Sequence, residues 1–249
     1  MKDLFHAYIL AVQFLTRIPV PVSVEPNEST ARRALMFFPL VGWLLGLLLF
    51  CLWWLIDLSG ISSAFTAAAI IITAETILTG AFHLDGLADT FDAFLSSGTT
   101  REEKLSIMKD SRIGVMGATS LILSLLLKTA LLSELIATNM ELALIIYPIV
   151  GRWVQVALYV TCTYVREDGT GLMFAKAADQ KTLLAATLLM LPYFALLFAP
   201  FTLVVLILFI YWYRHYVRKL VGGITGDILG AVTVISEIVF LLGIVIANT

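Results

Sequence analysis

Charge is scarce in this chain. Only 14% of its 249 residues are Asp, Glu, Lys or Arg, against about a quarter in ordinary soluble domains. With 60% hydrophobic residues and a mean hydropathy of +0.96, the composition excludes a soluble globular protein and predicts an integral membrane protein. A basic excess is also lacking. The net charge is −2, so nothing is left over to neutralise a phosphate backbone, and nucleic acid is excluded as a partner. Cysteine is nearly absent: Cys51 and Cys162 fall in different apolar segments, which argues against a disulfide framework and for free, buried thiols. Internal repeats, low-complexity tracts and the alternating pattern of a β-barrel are missing too. Helices are then the way to satisfy the backbone in lipid. The expected fold is all-α, a polytopic transmembrane bundle forming one membrane domain over residues 1–249.

A spanning helix needs roughly 20 apolar residues. Seven segments qualify, at about 34–56, 61–81, 115–137, 142–164, 183–199, 200–213 and 227–247. The fifth and sixth are short and meet at Pro200, as a tight hairpin or a partly re-entrant pair. Ahead of them, MKDLFHAYILAVQFLTRIPVPV carries Asp3, His6, Gln13 and Arg17 near a helical repeat. It lacks a small-residue cleavage site, so it reads as an amphipathic helix, lying at the interface or tucked against the bundle, rather than a signal peptide. Lys and Arg sort cleanly. They cluster before the first span and between spans two and three, four and five, and six and seven; DLSG (57–60), TNME (138–141) and the Pro200 turn have none. The positive-inside rule therefore places the N-terminus and the basic loops in the cytoplasm. Lys128 and Arg152 alone fall inside spans.

Three stretches carry chemistry. FHLDGLADTFDAF (82–94) sets Asp85, Asp89 and Asp92 at i, i+4 and i+7, one face of a helix, among Phe and Leu. Like charges so placed repel unless a cation joins them, and oxygen donors suit Mg²⁺, commonly held with substrate phosphates. REEKLSIMKDSRIGVMG (101–117) adds Lys109 and Arg112 for diphosphate oxygens, and Asp110 either as a further ligand or to orient Arg112. GGITGDILGAVTVISE (222–237) offers Gly222, Gly223 and Gly226, whose N–H groups can approach phosphate, and Asp227 at the start of the last span, where it is also a candidate helix cap. His83 is a candidate base or phosphate donor. Glu75, Arg152 and Glu237 lie at depth in the apolar segments; Arg152 is expected to pair with one of the glutamates, as a clamp or lining a substrate cavity. The loop at 164–182 suits a mobile cover over a large substrate.

TRIPVP, FHLDGLADTFDAF, MKDSRIGVMG, GRW (151–153) and GGITGDILGA…E, in this order, together resemble the cobalamin synthase family, the adenosylcobinamide-GDP ribazoletransferases, over essentially the whole chain. The resemblance implies a Mg²⁺-dependent enzyme of the bacterial cytoplasmic membrane. It would join GDP-activated adenosylcobinamide to α-ribazole or its 5′-phosphate and release GMP, with membrane lipid around it. Homo-oligomers or assemblies with other cobalamin-pathway enzymes are compatible with this.

On the joint reading, Asp85, Asp89 and Asp92 hold Mg²⁺ with Asp110 and Asp227 completing the acidic site, and Asp92 or Asp227 takes the hydroxyl proton. Lys109 and Arg112 steady the diphosphate. Gly222, Gly223, Gly226, His83 and Arg152 contribute to substrate binding. Three rivals stand beside it. The motif of CDP-alcohol phosphotransferases, DGxxAR…GxxxDxxxD, differs from DGLADTFD. Prenyltransferases normally show two facing Asp-rich motifs. A transporter built on Glu75, Arg152 and Glu237 would leave the carboxylate cluster unexplained.

Overall fold

A computed structural model describes residues 2–97, 100–197 and 200–248. Among these the chain forms helices and no strand. They are α1 (Lys2–Leu15), α2 (Glu28–Met36), α3 (Phe38–Leu58), α4 (Ala64–Thr79), α5 (Phe82–Phe94), α6 (Arg101–Ile107), α7 (Val115–Ala137), α8 (Ala143–Thr161), α9 (Gly171–Ala177), α10 (Gln180–Leu197), α11 (Pro200–Val221) and α12 (Gly226–Asn248). Five of them, α3, α7, α8, α11 and α12, are long and apolar enough to cross a membrane. A sixth crossing follows if α4 and α5, bent by 91° at their junction, count as one. The seven apolar segments of the sequence all become long helices, yet this criterion gives five or six spans rather than seven. The sixth segment is longer than its apolar run, because α11 continues through the basic stretch to Val221. The hairpin expected at Pro200 depends on residues 198–199, which lie outside the described residues.

Two helices make the core. The spanning window of α8 is 83% buried and that of α12 72%, whereas that of α11 is only 22% buried. α3 packs on α8 through Gly42 and Gly46, four residues apart. A Cβ at Gly42 would come within 2.5 Å of the Pro148 carbonyl, and one at Gly46 would run into Ile145. Small residues at this spacing let backbones touch where lipid supplies no hydrophobic drive to associate. α1 is tucked against the bundle, burying Ala7, Ala11, Val12 and Leu15 while Leu4 and Phe5 stay exposed. Both cysteines are free, but neither is fully buried as expected: Cys51 is exposed on α3 and Cys162 is half-buried.

The fold positions the site through the elbow between α4 and α5. Gly80 caps α4 in the left-handed region at φ 66°, and Ala81 follows at φ 59°. The second value is uncommon for a residue with a Cβ. The turn stops α4 after 16 residues and sends α5 off at 91° to it.

Candidate active site

The elbow lays α5 against the start of α12. The two backbones nearly touch: a Cβ on Gly86 would fall 2.7 Å from the Asp227 carbonyl, and one on Gly230 3.3 Å from the Cα atoms of Gly86 and His83. This crossing carries Asp85 and Asp89 to Asp227, which is remote in sequence. Asp227 is free for the encounter because the capping duty falls to Thr225, whose Oγ1 accepts from the Ile228 N–H at 3.2 Å. Arg166, from the 164–182 loop, pairs with Asp227 Oδ2 at 2.6 Å. Arg166 lies in a long loop with no periodic signal, so the sequence marks it only as one of the basic loop residues, and only the fold brings it here.

Electrostatics follow from this crowding. Burial, then the carboxylates of Asp227 and Asp85, push the Asp89 carboxyl up to about 7, with Arg166 opposing and Asp92 adding a little. One guanidinium does not balance the local negative charge. Among the described residues, however, no three acidic, His or Cys side chains stand close enough to hold a metal ion unaided.

Asp92 departs from the expected shared face. Its carboxylate accepts the Gly114 N–H at 2.7 Å and the Gly117 N–H at 2.8 Å, capping the N-terminus of α7, where free N–H groups and the helix dipole favour a negative charge. Asp110 departs too. It forms a bidentate pair with Arg112, at 3.0 and 2.6 Å, on an exposed loop, and that guanidinium holds the Asp110 carboxyl down at about 2. Of the two roles considered for Asp110, orienting Arg112 is the one seen. Lys109 reaches out to Asp168 at 3.2 Å.

The glycine turn also has a structural explanation. Gly222 adopts φ 84°, with Arg101 lying over it, and a Cβ on Gly223 would collide with the Thr163 carbonyl. The turn is clasped to the loop after α8 by two backbone hydrogen bonds, Ile224 N–H to Thr163 at 2.8 Å and Val165 N–H to Ile224 at 2.9 Å. Gly226, in contrast, lines a cavity of about 430 Å³ together with His83, Asp85, Asp227, Arg17 and Tyr159. The 164–182 loop, expected as a mobile cover, contains α9 and supplies one wall of this cavity. Phe174 is fully buried against Phe14, Phe38 and Tyr159, and Thr170 and Gly171 face the cavity.

Beneath the cavity lies a buried charge network. Arg152 pairs with Glu237, so it does meet a glutamate as expected. Lys128 joins Glu237 at 2.5 Å to Glu75 at 2.7 Å, and the Tyr147 hydroxyl donates to Glu75 at 3.0 Å. Two cations and two carboxylates make the group neutral, and it ties α4, α7, α8 and α12 together. His83 connects the network to the cavity: Arg152 Nη2 lies 3.5 Å from its Nδ1 and Gln155 Nε2 2.9 Å from its Nε2. A neutral imidazole accepts at only one nitrogen, and the 2.9 Å contact to Gln155 is the closer of the two; with both nitrogens turned toward α8, His83 is a poor candidate for a base.

These features define a polytopic helical membrane protein with an acidic cavity at one end of its bundle. Residues 7–245 match the family described as cobalamin-5-phosphate synthase. Relatives named adenosylcobinamide-GDP ribazoletransferase include one from Pseudomonas fluorescens strain Pf0-1, 37% identical over 94% of this chain and 97% of the relative. Another, from Clostridium tetani, is 34% identical over 97% and 96%. No solved structure matches. The chain belongs to the cobalamin-5-phosphate synthase family.

Proposed function

We propose that this chain is an adenosylcobinamide-GDP ribazoletransferase acting in cobalamin biosynthesis. A ribose hydroxyl of α-ribazole, or of its 5′-phosphate, attacks the corrinoid-bearing phosphorus of the GDP-activated substrate. The new P–O bond forms as the bond to GMP breaks, and the hydroxyl proton goes to a carboxylate. The observation that carries this reading is the α5–α12 crossing. It gathers Asp85, Asp89 and Asp227 beside Arg166, and Asp85 and Asp227 line a cavity large enough for a nucleoside-sized group.

Mg²⁺ fits this place. The donors are all oxygen, their negative charge is incompletely balanced, and Mg²⁺ is usually held by one or two carboxylates with substrate phosphates supplying further ligands. Asp85 and Asp89 would hold it; Asp92 and Asp110, engaged elsewhere, leave the set. When bound, the ion supplies charge neutralisation for diphosphate oxygens. Asp227 takes the hydroxyl proton while Arg166 fixes its orientation. Lys109 and Arg112, paired with Asp168 and Asp110 on the exposed loop, would serve the diphosphate only by exchanging those partners for it. Phosphoryl transfer asks little covalent work of a protein, so alignment within the crossing is the main contribution. The Lys/Arg-rich loops support a bacterial cytoplasmic membrane location with the N-terminus and this site facing the cytoplasm.

The test is GMP release from GDP-activated adenosylcobinamide, α-ribazole and Mg²⁺ by the purified protein. Asp89→Asn should abolish turnover yet leave folding intact. A variant as active as the wild type would remove the metal assignment, and absence of release by the wild type would remove the activity.

A further inference from the structure

We propose that Arg17 anchors a phosphate-binding subsite on the α4–α5 elbow, an inference that rests on the transferase reading. The cavity offers few cations to an anionic substrate. Its basic lining residues are Arg17 and His83, and the ring nitrogens of His83 face Arg152 and Gln155. Four other basic groups of this end of the molecule are ion-paired: Arg166 to Asp227, with its Nε and Nη2 lacking a hydrogen-bond partner, Arg152 to Glu237, Lys109 to Asp168 and Arg112 to Asp110. Among the described residues the Arg17 side chain has neither an ion pair nor a hydrogen bond.

It is nevertheless held in place. The Arg17 N–H donates to the Leu78 carbonyl at 2.7 Å. Its stem fills the notch left by Gly80, where a Cβ would lie 2.5 Å from Arg17 Cγ. Its guanidinium lies over the Phe82 ring at 4.2 Å, a contact that fixes the plane and leaves the N–H edges for another partner. A planar fork restrained in this way, with its donors unspent, matches the oxygens of a phosphate group. Asp85 and Asp227 line the same cavity and would repel such a group, and the Arg17 fork offsets that repulsion in addition to any Mg²⁺ held there. The phosphate belongs either to the 5′-position of the incoming nucleoside or to the diphosphate of the activated corrinoid.

Arg17→Gln keeps the stem over Gly80 and removes the charge and fork; Arg17→Lys keeps the charge. Steady-state GMP release is measured with α-ribazole and separately with its 5′-phosphate, and pyrophosphate binding is measured by calorimetry on the same full-length preparations. We expect Arg17→Gln to raise one KM about ten- to hundredfold, in line with loss of charge-assisted hydrogen bonds, with partial recovery in Arg17→Lys. A rise confined to the 5′-phosphate acceptor assigns the subsite to that phosphate. A rise in the corrinoid KM with either acceptor assigns it to the diphosphate. Unchanged KM values overturn the proposal, as does a fall in kcat that tracks lowered thermal stability, which would make Arg17 only a pin for the elbow. If the wild type releases no GMP, the transferase reading fails by itself. Pyrophosphate binding then decides the subsite: weakening in Arg17→Gln supports it, and equal binding overturns it.

Discussion

Replacing Gly86 with Ala tests whether the α5–α12 crossing aligns the acidic site. The added methyl would lie 2.7 Å from the Asp227 carbonyl oxygen and 3.0 Å from its Cα, where ordinary contact begins at 3.4 Å. Backbone atoms cannot swing aside, so the helices must part by about 0.7 Å. Overpacking of this kind costs about 1–3 kcal/mol. Ala in place of Gly inside a helix returns about 1 kcal/mol, leaving a net loss of about 0–2 kcal/mol. The chemical cost is larger in proportion. A misplacement near 1 Å can lower a rate by about a hundredfold, and here the shift falls directly between Asp85 and Asp89 on one side and Asp227 on the other. GMP release should fall about ten- to hundredfold while yield, size-exclusion profile and melting temperature change little. A Gly86→Ala protein that keeps more than half of wild-type turnover would show that the acids do not depend on this contact.

Other consequences follow from the same geometry. With its carboxyl raised to about 7, Asp89 must lose its proton to bind Mg²⁺. Titrating Mg²⁺ into lightly buffered protein should therefore release about half a proton at pH 7, most of one at pH 6 and almost none at pH 9. Mg²⁺ affinity should weaken as pH falls below 7, and Asp89→Asn should abolish the release. Asp92→Ala removes the acceptor for two N–H groups at the start of α7 and should cost about 1–3 kcal/mol of stability. If Asp92→Asn instead stops turnover in a protein as stable as the wild type, Asp92 returns to the chemistry. Lys128→Met leaves Glu75 and Glu237 facing each other without their bridging cation and should cost about 3–5 kcal/mol. Lys128→Met combined with Glu75→Gln should recover much of that in thermal unfolding, and failure to recover would mean that the lost methylene packing of Lys128 matters more than the charge.

The sequence by itself determined the solvent and the elements. Hydrophobic runs near 20 residues and a shortage of charge dictate helices in lipid, because nothing else there can satisfy the backbone. The acidic run at 82–94 and the Gly-Asp pair at 226–227 were legible as chemistry, since carboxylates beside apolar helices are costly without a reason. What each carboxylate faces was not legible. Periodicity puts Asp85, Asp89 and Asp92 on one side of a helix, but the three look out on different neighbours along its length: Asp92 meets the end of α7, while Asp89 feels Asp227 and Arg166. Which residues join them across the bundle depends on the bend at Gly80–Ala81 and on how closely Gly86 lets α12 approach. Those are contacts between segments distant in the chain, and local pattern carries no record of them. The pairing of Lys128 with two glutamates, the commitment of most nearby basic groups to carboxylates, and the free fork of Arg17 were decided only by tertiary packing. Charge in a low-dielectric interior is settled by its nearest partner, and the fold chooses the partner.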